Sequence, residues 1–246
     1  MKIVIFIVIA VVVVIVGAVA MFPMSMAADF AAKAAPDFKF AKADGSVWSG
    51  KLTGVTYGAQ RIGDVSVSGD FGALFSGKAA GMVALSRNGL TGAADMAWPL
   101  GGKELALSKF KLKGAVSTVR GMPEAVASRG GKFRLELSEL KFAGDKCQSA
   151  KGTVWTDALA KVTHKGWTGP ELTGPVSCEG GKLVVHATGK APSGEDVVAQ
   201  MDIGGRLDMA MTATVTNATG GAVESLKSLG FTEQGGALVI HQAVGS

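Results

Sequence analysis

The sequence predicts an all-β, mainly antiparallel protein, in which a curved open sheet or half-barrel meander ends with a short C-terminal helix and follows one N-terminal transmembrane helix. Three observations predict this class. Residues 3–20 are almost purely apolar. Glycine supplies 35 of the 246 residues, about twice its usual share of about 7%, and this indicates many turns. Between these turns, apolar and polar residues alternate in short runs, as they do in half-buried strands.

The apolar segment at the start of the chain predicts a membrane anchor. A helix needs about 20 apolar residues to cross the hydrocarbon core, and residues 3–22 supply this length before Pro23. The alternative is a cleaved secretory signal, whose apolar core usually has about 7–15 residues. The longer segment therefore favours an uncleaved anchor over residues 1–26.

The orientation of this anchor depends on charges and cysteines. Lys2 precedes the segment, and Lys33 and Lys39 follow it. The positive charges alone would leave the domain in the cytosol, but the positive-inside rule is weak for long translocated domains. The two cysteines, Cys147 and Cys178, favour export because disulfides persist in oxidising compartments such as the periplasm. We therefore predict a single-pass inner-membrane protein with a periplasmic domain.

The rest of the chain predicts a linker and one β-rich domain. Residues 27–44 are rich in alanine, lysine and aspartate and read as the linker. Residues 45–246 form the β-rich domain, long enough for one sizeable core or two smaller lobes. An internal repeat favours two similar units, at about 45–145 and 146–246.

The internal repeat places two tryptophans in register. Residues 45–57 and 152–164 share six identities over 13 aligned positions, and Trp48 matches Trp155. Tryptophan brings a large apolar surface and one N–H group that needs a partner. We therefore expect Trp48 and Trp155 to anchor equivalent core positions, and the alternative is an exposed aromatic platform for a ligand.

Turn and strand signals follow one another along the domain. Asn88-Gly89 is a strong hairpin signal, and the phase of the alternation changes at Ser108-Lys109, which predicts a bulge. Phe133, Leu135 and Leu137 alternate with charged residues in a half-buried strand. Near the end, residues 222–229 predict a short helix that stops at Gly230, and residues 237–240 predict a last strand.

Composition and motifs argue against several functional classes. The net charge of +5 is mild, and its lysines and arginines are dispersed, whereas a nucleic-acid interface needs clustered basic residues with stacking aromatics. His164, His186 and His241 are scattered, and no spacing typical of zinc ligands is present. The sequence has neither a nucleophile elbow nor a phosphate-binding loop. We predict no enzymatic activity, no catalytic residue, no metal, no cofactor and no nucleic-acid partner.

The two cysteines predict a structural disulfide. Cys147 and Cys178 flank the second tryptophan segment and would close a loop of about 30 residues, worth about 3–4 kcal/mol in the chain-entropy estimate. Metal binding would need more ligands than these two cysteines and the nearby histidines supply.

Taken together, these features resemble the type II secretion system protein N (GspN) family. The features that carry the resemblance run the length of the chain: the anchor ending near Phe22-Pro23, Gly-Ser-Val-Trp-Ser-Gly at 45–50, the Cys147, Gly152-Thr-Val-Trp155 and Cys178 block, and the tail from Leu226 to Phe231. The resemblance implies a bitopic inner-membrane accessory or assembly component without catalysis. The implied partners are other type II secretion components, namely the inner-membrane platform and the secretin.

A second hypothesis is a lipid-handling protein similar to the AsmA-like group. Such proteins also place a membrane helix before a curved sheet with an apolar concave face. The alternating valine, leucine and alanine residues of this chain would then line a lipid-binding groove instead of a filled core. An apolar groove of more than a few hundred Å² would demand a ligand or partner.

Overall fold

A computed structural model gives the fold of most of the chain. It describes residues 21–58, 60–119, 124–164, 166–205 and 208–244. The predicted anchor over residues 1–26 lies mostly outside these ranges. Within them, no helix is both long enough and apolar enough to cross a membrane.

The chain divides into two compact units. Unit 1 ends at Ser86 and unit 2 begins at Arg87, which differs from the boundary expected near residue 145. The expected boundary falls in the tight turn at Gly144 and Asp145, between two strands that pair along most of their length. Because that ladder is continuous, the segments on both sides of the turn belong to one unit.

Unit 1 combines one helix with a small antiparallel sheet. Strands β1, β3, β4 and β5 pair in this order, and β2 also pairs with β3. The bounds are α1 Met24–Ala34, β1 Phe38–Lys39, β2 Lys42–Ser46, β3 Ser49–Tyr57, β4 Gln60–Asp70 and β5 Lys78–Arg87, with a 3-10 helix at Phe71–Ser76.

Helix α1 packs against the sheet of unit 1. Met24 and Ala28 are buried and lie one helical turn apart, so both face the sheet. They form a core with Leu52 and Val55 of β3. Residues 27–44, which we expected to form a linker, therefore contain most of a packed helix and the start of the sheet. The sequence signal for a linker was compositional, whereas this two-residue stripe is too short for a clear periodicity.

Unit 2 is an antiparallel meander with short helical insertions. Its strands pair in the order β6-β7-β8-β9-β12-β13-β14-β15-β17-β16, and β10 pairs with β11 separately. The strands are β6 Leu90–Pro99, β7 Glu104–Ala115, β8 Lys132–Ala143, β9 Lys146–Thr156, β10 Thr163–His164, β11 Trp167–Thr168, β12 Leu172–Glu179, β13 Lys182–Lys190, β14 Asp196–Ile203, β15 Met209–Thr216, β16 Thr232–Gln234 and β17 Ala237–Val244. The helices are α2 Glu124–Ala127 and α3 Gly221–Ser228, with 3-10 helices at Val116–Thr118 and Leu159–Lys161. The predicted class of a mainly antiparallel open sheet with a short C-terminal helix is confirmed.

Several local predictions are confirmed by backbone geometry. Asn88 and Gly89 form a two-residue turn, with φ of 76° at Gly89. The β6–β7 register shifts between Ala93 and Asp95, and Lys109 of β7 has φ of 49°, as expected for a bulge. Helix α3 is followed by Gly230 with φ of 94°, the left-handed conformation that suits the end of a helix.

Alternation along the strands gives the sheet of unit 2 one apolar face and one face that carries most of the charged residues. On the apolar face, Leu135 of β8 lies opposite Leu112 of β7 and Val154 of β9. Further along, Val185 of β13 lies opposite both Val176 and Met201. Because each cross-strand pair sets neighbouring side chains side by side, the apolar residues form one continuous surface across the sheet.

Two glycines on this apolar face mark very close approaches between strands. A Cβ atom on Gly152 would collide with the carbonyl oxygen of Glu136 in β8, and one on Gly174 would collide with that of His186 in β13. Both obstacles are backbone atoms of a paired strand, which cannot move without disturbing the ladder. These positions therefore require glycine for packing reasons.

We expect Gly174→Ala to lower the free energy of unfolding of unit 2 by about 1–3 kcal/mol, the usual cost of overpacking a close contact. Urea unfolding followed by circular dichroism measures the effect. Val198→Ala serves as the control, because Val198 is an exposed residue of the same sheet and surface changes usually stay within about 0.5 kcal/mol. Equal stability of Gly174→Ala and the wild type would contradict this packing argument.

Candidate functional site

An apolar cluster closes one end of the apolar face of unit 2. Its most deeply buried members include Trp167 of β11, Val215 of β15 and Leu226 of α3. Val162, between the second 3-10 helix and β10, packs into the same cluster. We call this cluster the capped end, because helix α3 and the β10–β11 hairpin contribute to it together with the sheet.

A buried hydrogen bond joins two elements of the capped end. Ser225 of α3 is fully buried, and its hydroxyl donates to the carbonyl oxygen of His164 in β10 over 2.6 Å. A buried polar group without a partner costs about 1–3 kcal/mol, so this bond favours one position of α3 over the hairpin. The helix that the sequence predicted therefore covers part of the apolar face.

A second apolar cluster lies further along the same face and contains the cystine. Cys147 of β9 packs with Leu137, Leu140, Val176 and Leu183. Its sulfur is bonded to that of Cys178 in β12, and the two Cα atoms are 5.5 Å apart. The structure thus contains the disulfide that the sequence predicted.

The disulfide closes the loop that carries part of the capped end. Between Cys147 and Cys178 the chain runs through β9, a 3-10 helix, β10, β11 and β12. Four residues of this loop are buried at the capped end, namely Ala158, Val162, Trp167 and Leu172. The covalent link therefore restrains a segment that shapes the apolar face, as well as joining two adjacent strands.

A cavity of about 280 Å³ lies on the apolar face of unit 2. Its wall includes residues of the capped end, such as Phe231 and Ala213, and residues packed against the cystine cluster, such as Val185 and Ile203. The cavity therefore occupies the space between the two clusters. Its size is close to the lower end of the range for small-molecule sites, about 300–1,000 Å³.

The lining of this cavity shows that the sheet of unit 2 is strongly curved. Leu112 of β7 and Ile240 of β17 both line it. In the order of pairing, seven steps separate these two strands, which would be about 34 Å in a flat sheet at about 4.8 Å per step. One small cavity can touch both strands only because the sheet curls around it. This geometry agrees with the predicted half-barrel.

Only two lining residues carry polar side-chain atoms, and both make hydrogen bonds elsewhere. The hydroxyl of Thr156 donates to the carbonyl oxygen of Lys132 over 2.8 Å and accepts from the amide of Ala158 over 3.1 Å. The amide of Gln200 donates to Asp202 over 2.8 Å. The remaining lining side chains are aliphatic, aromatic or thioether groups. A ligand in the cavity would thus make mainly apolar contacts and few hydrogen bonds.

Methionines form one part of the wall. Met201 of β14 lies opposite Met211 of β15, and Met209 lies opposite Ile203; all four line the cavity and are half-buried. Sequence reasoning did not single out the methionines as site residues. The only signal was their spacing at every second residue, which predicts a face of a strand but does not distinguish a filled core from an open cavity.

The two tryptophans of the sequence repeat do not occupy equivalent positions. Trp48 lies in the turn between β2 and β3 of unit 1, and its ring meets Phe71 edge-on at 5.1 Å. Trp155 lies within β9 of unit 2, where its indole N–H donates to Glu171 over 3.0 Å and Arg134 stacks over the ring at 5.5 Å. Both are half-buried. Similar short motifs thus adopt a turn in one place and a strand in the other.

The cause of this difference lies in the residues that follow each tryptophan. In unit 1, Ser49 and Gly50 begin the returning strand, and a Cβ on Gly50 would collide with the backbone of Ser46. In the alignment of the repeat, Asp157 of unit 2 stands where unit 1 has Gly50. Its carboxylate accepts a hydrogen bond from the backbone amide of Lys132 over 2.6 Å. The second segment therefore stays extended through Trp155 and turns only after it.

The three histidines have separate surroundings. The carbonyl of His164 accepts from Ser225 as described, Nε2 of His186 lies 3.5 Å from Glu179, and Nδ1 of His241 lies 3.0 Å from the hydroxyl of Thr212. Among the described residues, no three histidine, cysteine or acidic side chains gather in a way that could hold a metal ion.

The polar face of unit 2 carries ion pairs that shift carboxylate pKa values. Asp196 accepts from Lys190 over 3.0 Å and from the amide of Asn217 over 2.9 Å. These two donors lower the pKa of Asp196 below its ordinary value. Similarly, the hydroxyl of Ser149 and the ammonium group of Lys141 lower the pKa of Glu139.

Comparison with known families assigns the chain. A family model described as type II secretion system protein N matches residues 36–241, which cover unit 1 from Pro36 onward and nearly all of unit 2. The chain belongs to this family. No curated protein and no solved structure matches it. The type II secretion system protein N family thus includes a chain whose second unit contains an apolar cavity.

We expect removal of the disulfide, by Cys147→Ser with Cys178→Ser, to lower the free energy of unfolding of unit 2 by about 3–4 kcal/mol. The loop released contains one wall of the capped end, so trypsin should cut between the two positions faster in the variant. Chemical unfolding and limited proteolysis measure both effects. The wild-type protein treated with a reductant is the matched control and should behave as the variant does. Unchanged stability after either treatment would contradict the restraining role.

We expect Asp196→Asn to weaken the acid dependence of unit 2 stability. Because the pKa of Asp196 is lowered in the folded state, its contribution is complete above the unfolded pKa of about 3.9 and is lost as the pH falls through the folded value. The wild type should thus lose more stability than the variant between about pH 5 and pH 2. Melting curves across this range measure the difference, with Glu104→Gln as the control. Parallel curves for wild type and Asp196→Asn would contradict the assignment.

Proposed function

We propose that this protein is a non-catalytic accessory or assembly component of the type II secretion system. The observation that carries the proposal is the family match over residues 36–241. The protein would assist the export of folded proteins from the periplasm by contacting other components. The proposed partners are the inner-membrane platform and the outer-membrane secretin.

We further propose that the predicted anchor over residues 1–26 holds the protein in the inner membrane through its apolar stretch, residues 3–22, and that the chain from helix α1 onward lies in the periplasm. The uncharged stretch over residues 3–28 supports an anchor, because about 20 apolar residues are enough to span a bilayer. The bond between Cys147 and Cys178 supports an oxidising compartment. The family match begins after this stretch, so anchor and matched region are separate parts of the chain.

The character of the cavity in unit 2 supports a role in binding. Its side chains are almost entirely apolar, and such a surface supplies neither a general acid or base nor a nucleophile in its wall. The residues of unit 2 can therefore bind other molecules through the apolar surface of the cavity and through the ion pairs of the outer face.

Deletion of the gene should leave type II substrates in the periplasm and lower their amount in the medium. Secretion of a reporter substrate by the deletion strain, complemented with the full chain or with a chain lacking residues 3–22, measures the effect. We expect the full chain to restore secretion and the truncated chain to fail, because the proposed role needs attachment to the membrane. Normal export in the deletion strain would count against the secretion role, and full rescue by the truncated chain would count against the anchor.

The orientation of the anchor can be measured separately with Ser86→Cys, since Ser86 is an exposed residue of β5. A membrane-impermeant thiol reagent added to spheroplasts should label this cysteine without opening the inner membrane. Labelling only after the inner membrane is broken would place the units in the cytosol. The wild-type chain is the control for labelling of Cys147 and Cys178.

A further inference from the structure

We propose that the cavity of unit 2 binds one aliphatic chain, such as the acyl tail of a fatty acid or lipid. The proposal goes beyond the secretion role and does not depend on it. It rests on three properties of the cavity, namely the chemistry of its wall, its volume and the adaptability of its lining residues.

The chemistry of the wall excludes ligands that need hydrogen bonds. The hydroxyl of Thr156 is engaged by Lys132 and Ala158, the amide nitrogen of Gln200 donates to Asp202, and the other lining side chains are apolar. A sugar, a nucleotide or an extended peptide would bury unpaired polar groups there, at a cost of about 1–3 kcal/mol for each group. An alkyl chain has no such groups, and it gains from every methylene that leaves water.

The volume of the cavity suits a single chain. Water-sized groups occupy about 30 Å³ each, so about 280 Å³ accommodates about nine methylene groups. A bulky partner, such as an α-helix with a diameter of about 10 Å, does not fit in this space. The capped end, which contributes Ala213 and Phe231 to the wall, closes one side of the space and would limit the length of chain that enters.

The lining residues are suited to a flexible apolar ligand. Met201, Met209 and Met211 present unbranched thioether side chains that adapt their shape to different apolar partners. Apolar side chains from both ends of the curled ladder, Leu112 and Ile240 among them, surround the space. An apolar molecule would thus contact several strands at once.

A matched pair of substitutions distinguishes an effect on the cavity from an effect on the strand as a whole. Ala199 of β14 lines the cavity, and Val198, the preceding residue, is exposed and points to the opposite face. Ala199→Phe therefore fills the cavity, while Val198→Phe adds the same side chain to the outside of the same strand. Met211→Gln is a milder second variant, because it introduces an amide into the wall with little change in volume.

The test is photolabelling of the full chain in inner-membrane vesicles with dodecanoic acid that carries a mid-chain diazirine. Trypsin releases residues 191–206 and 207–227, which contain the lining residues of β14 and β15, and mass spectrometry locates the adducts. We expect saturable labelling of these peptides that excess unlabelled dodecanoic acid prevents. Ala199→Phe should reduce the saturable labelling of these peptides by about tenfold or more, which is the factor that corresponds to the loss of about two buried methylene groups. Val198→Phe should leave it unchanged within about twofold.

Other outcomes would overturn the proposal. The first is labelling confined to residues 3–33, which would reflect insertion of the probe into the bilayer alone. The second is equal labelling of Ala199→Phe and Val198→Phe. The third is labelling that excess unlabelled dodecanoic acid does not prevent. Dimers that Ala199→Phe abolishes, without adducts on the wild type, would assign the cavity to a second copy of the chain. Formation of the Cys147–Cys178 bond, read from gel mobility with and without reductant, checks that each variant folds. If Ala199→Phe does not form it, the same criteria apply to Met211→Gln with Val198→Gln as its control.

Discussion

The structure of unit 2 depends on the alignment of apolar side chains across a continuous antiparallel ladder. Alternation within each strand makes a face, and register between strands joins those faces into one surface. A shift of one residue in any strand would turn its apolar side chains outward. Leu107 and Phe110 are three positions apart and would point to opposite faces of a regular strand. The bulge at Lys109 brings both side chains to the same face, where they pack against the cystine cluster.

The curvature of the sheet folds its apolar surface around the cavity. A flat sheet with the same pattern would expose a wide apolar face, whereas the curled sheet brings β7 and β17 to the same cavity. The close approaches at Gly152 and Gly174 show where adjacent strands leave no room for a side chain. High glycine content, which first indicated turns, thus also permits tight packing within the ladder.

The capped end depends on links between elements that are distant in sequence. Helix α3 packs over residues of the β10–β11 region, and the bond from Ser225 to His164 joins them. The disulfide then ties the loop that carries this region to two adjacent strands. These restraints hold the wall of the cavity in place without filling it, so the site combines a rigid end with half-buried methionines beside it.

A family assignment and a cavity describe different aspects of this protein. The match to type II secretion system protein N covers both units and concerns the system to which the protein belongs. The cavity concerns what unit 2 is able to hold. An apolar site within a secretion component would connect the second hypothesis drawn from the sequence, lipid handling, with the first.

The sequence by itself determined the antiparallel class, the turn at Asn88-Gly89, the bulge at Lys109, the final helix and the family. Each depends on residues close together in the chain, or on patterns spread along it, so each leaves a local signal. Only the tertiary structure decided the division at Ser86, the packing of α1, the unlike settings of Trp48 and Trp155, and the choice between a filled core and a cavity. These depend on how far the sheet curls and on which distant segments meet, and the same alternating pattern is compatible with several degrees of curvature.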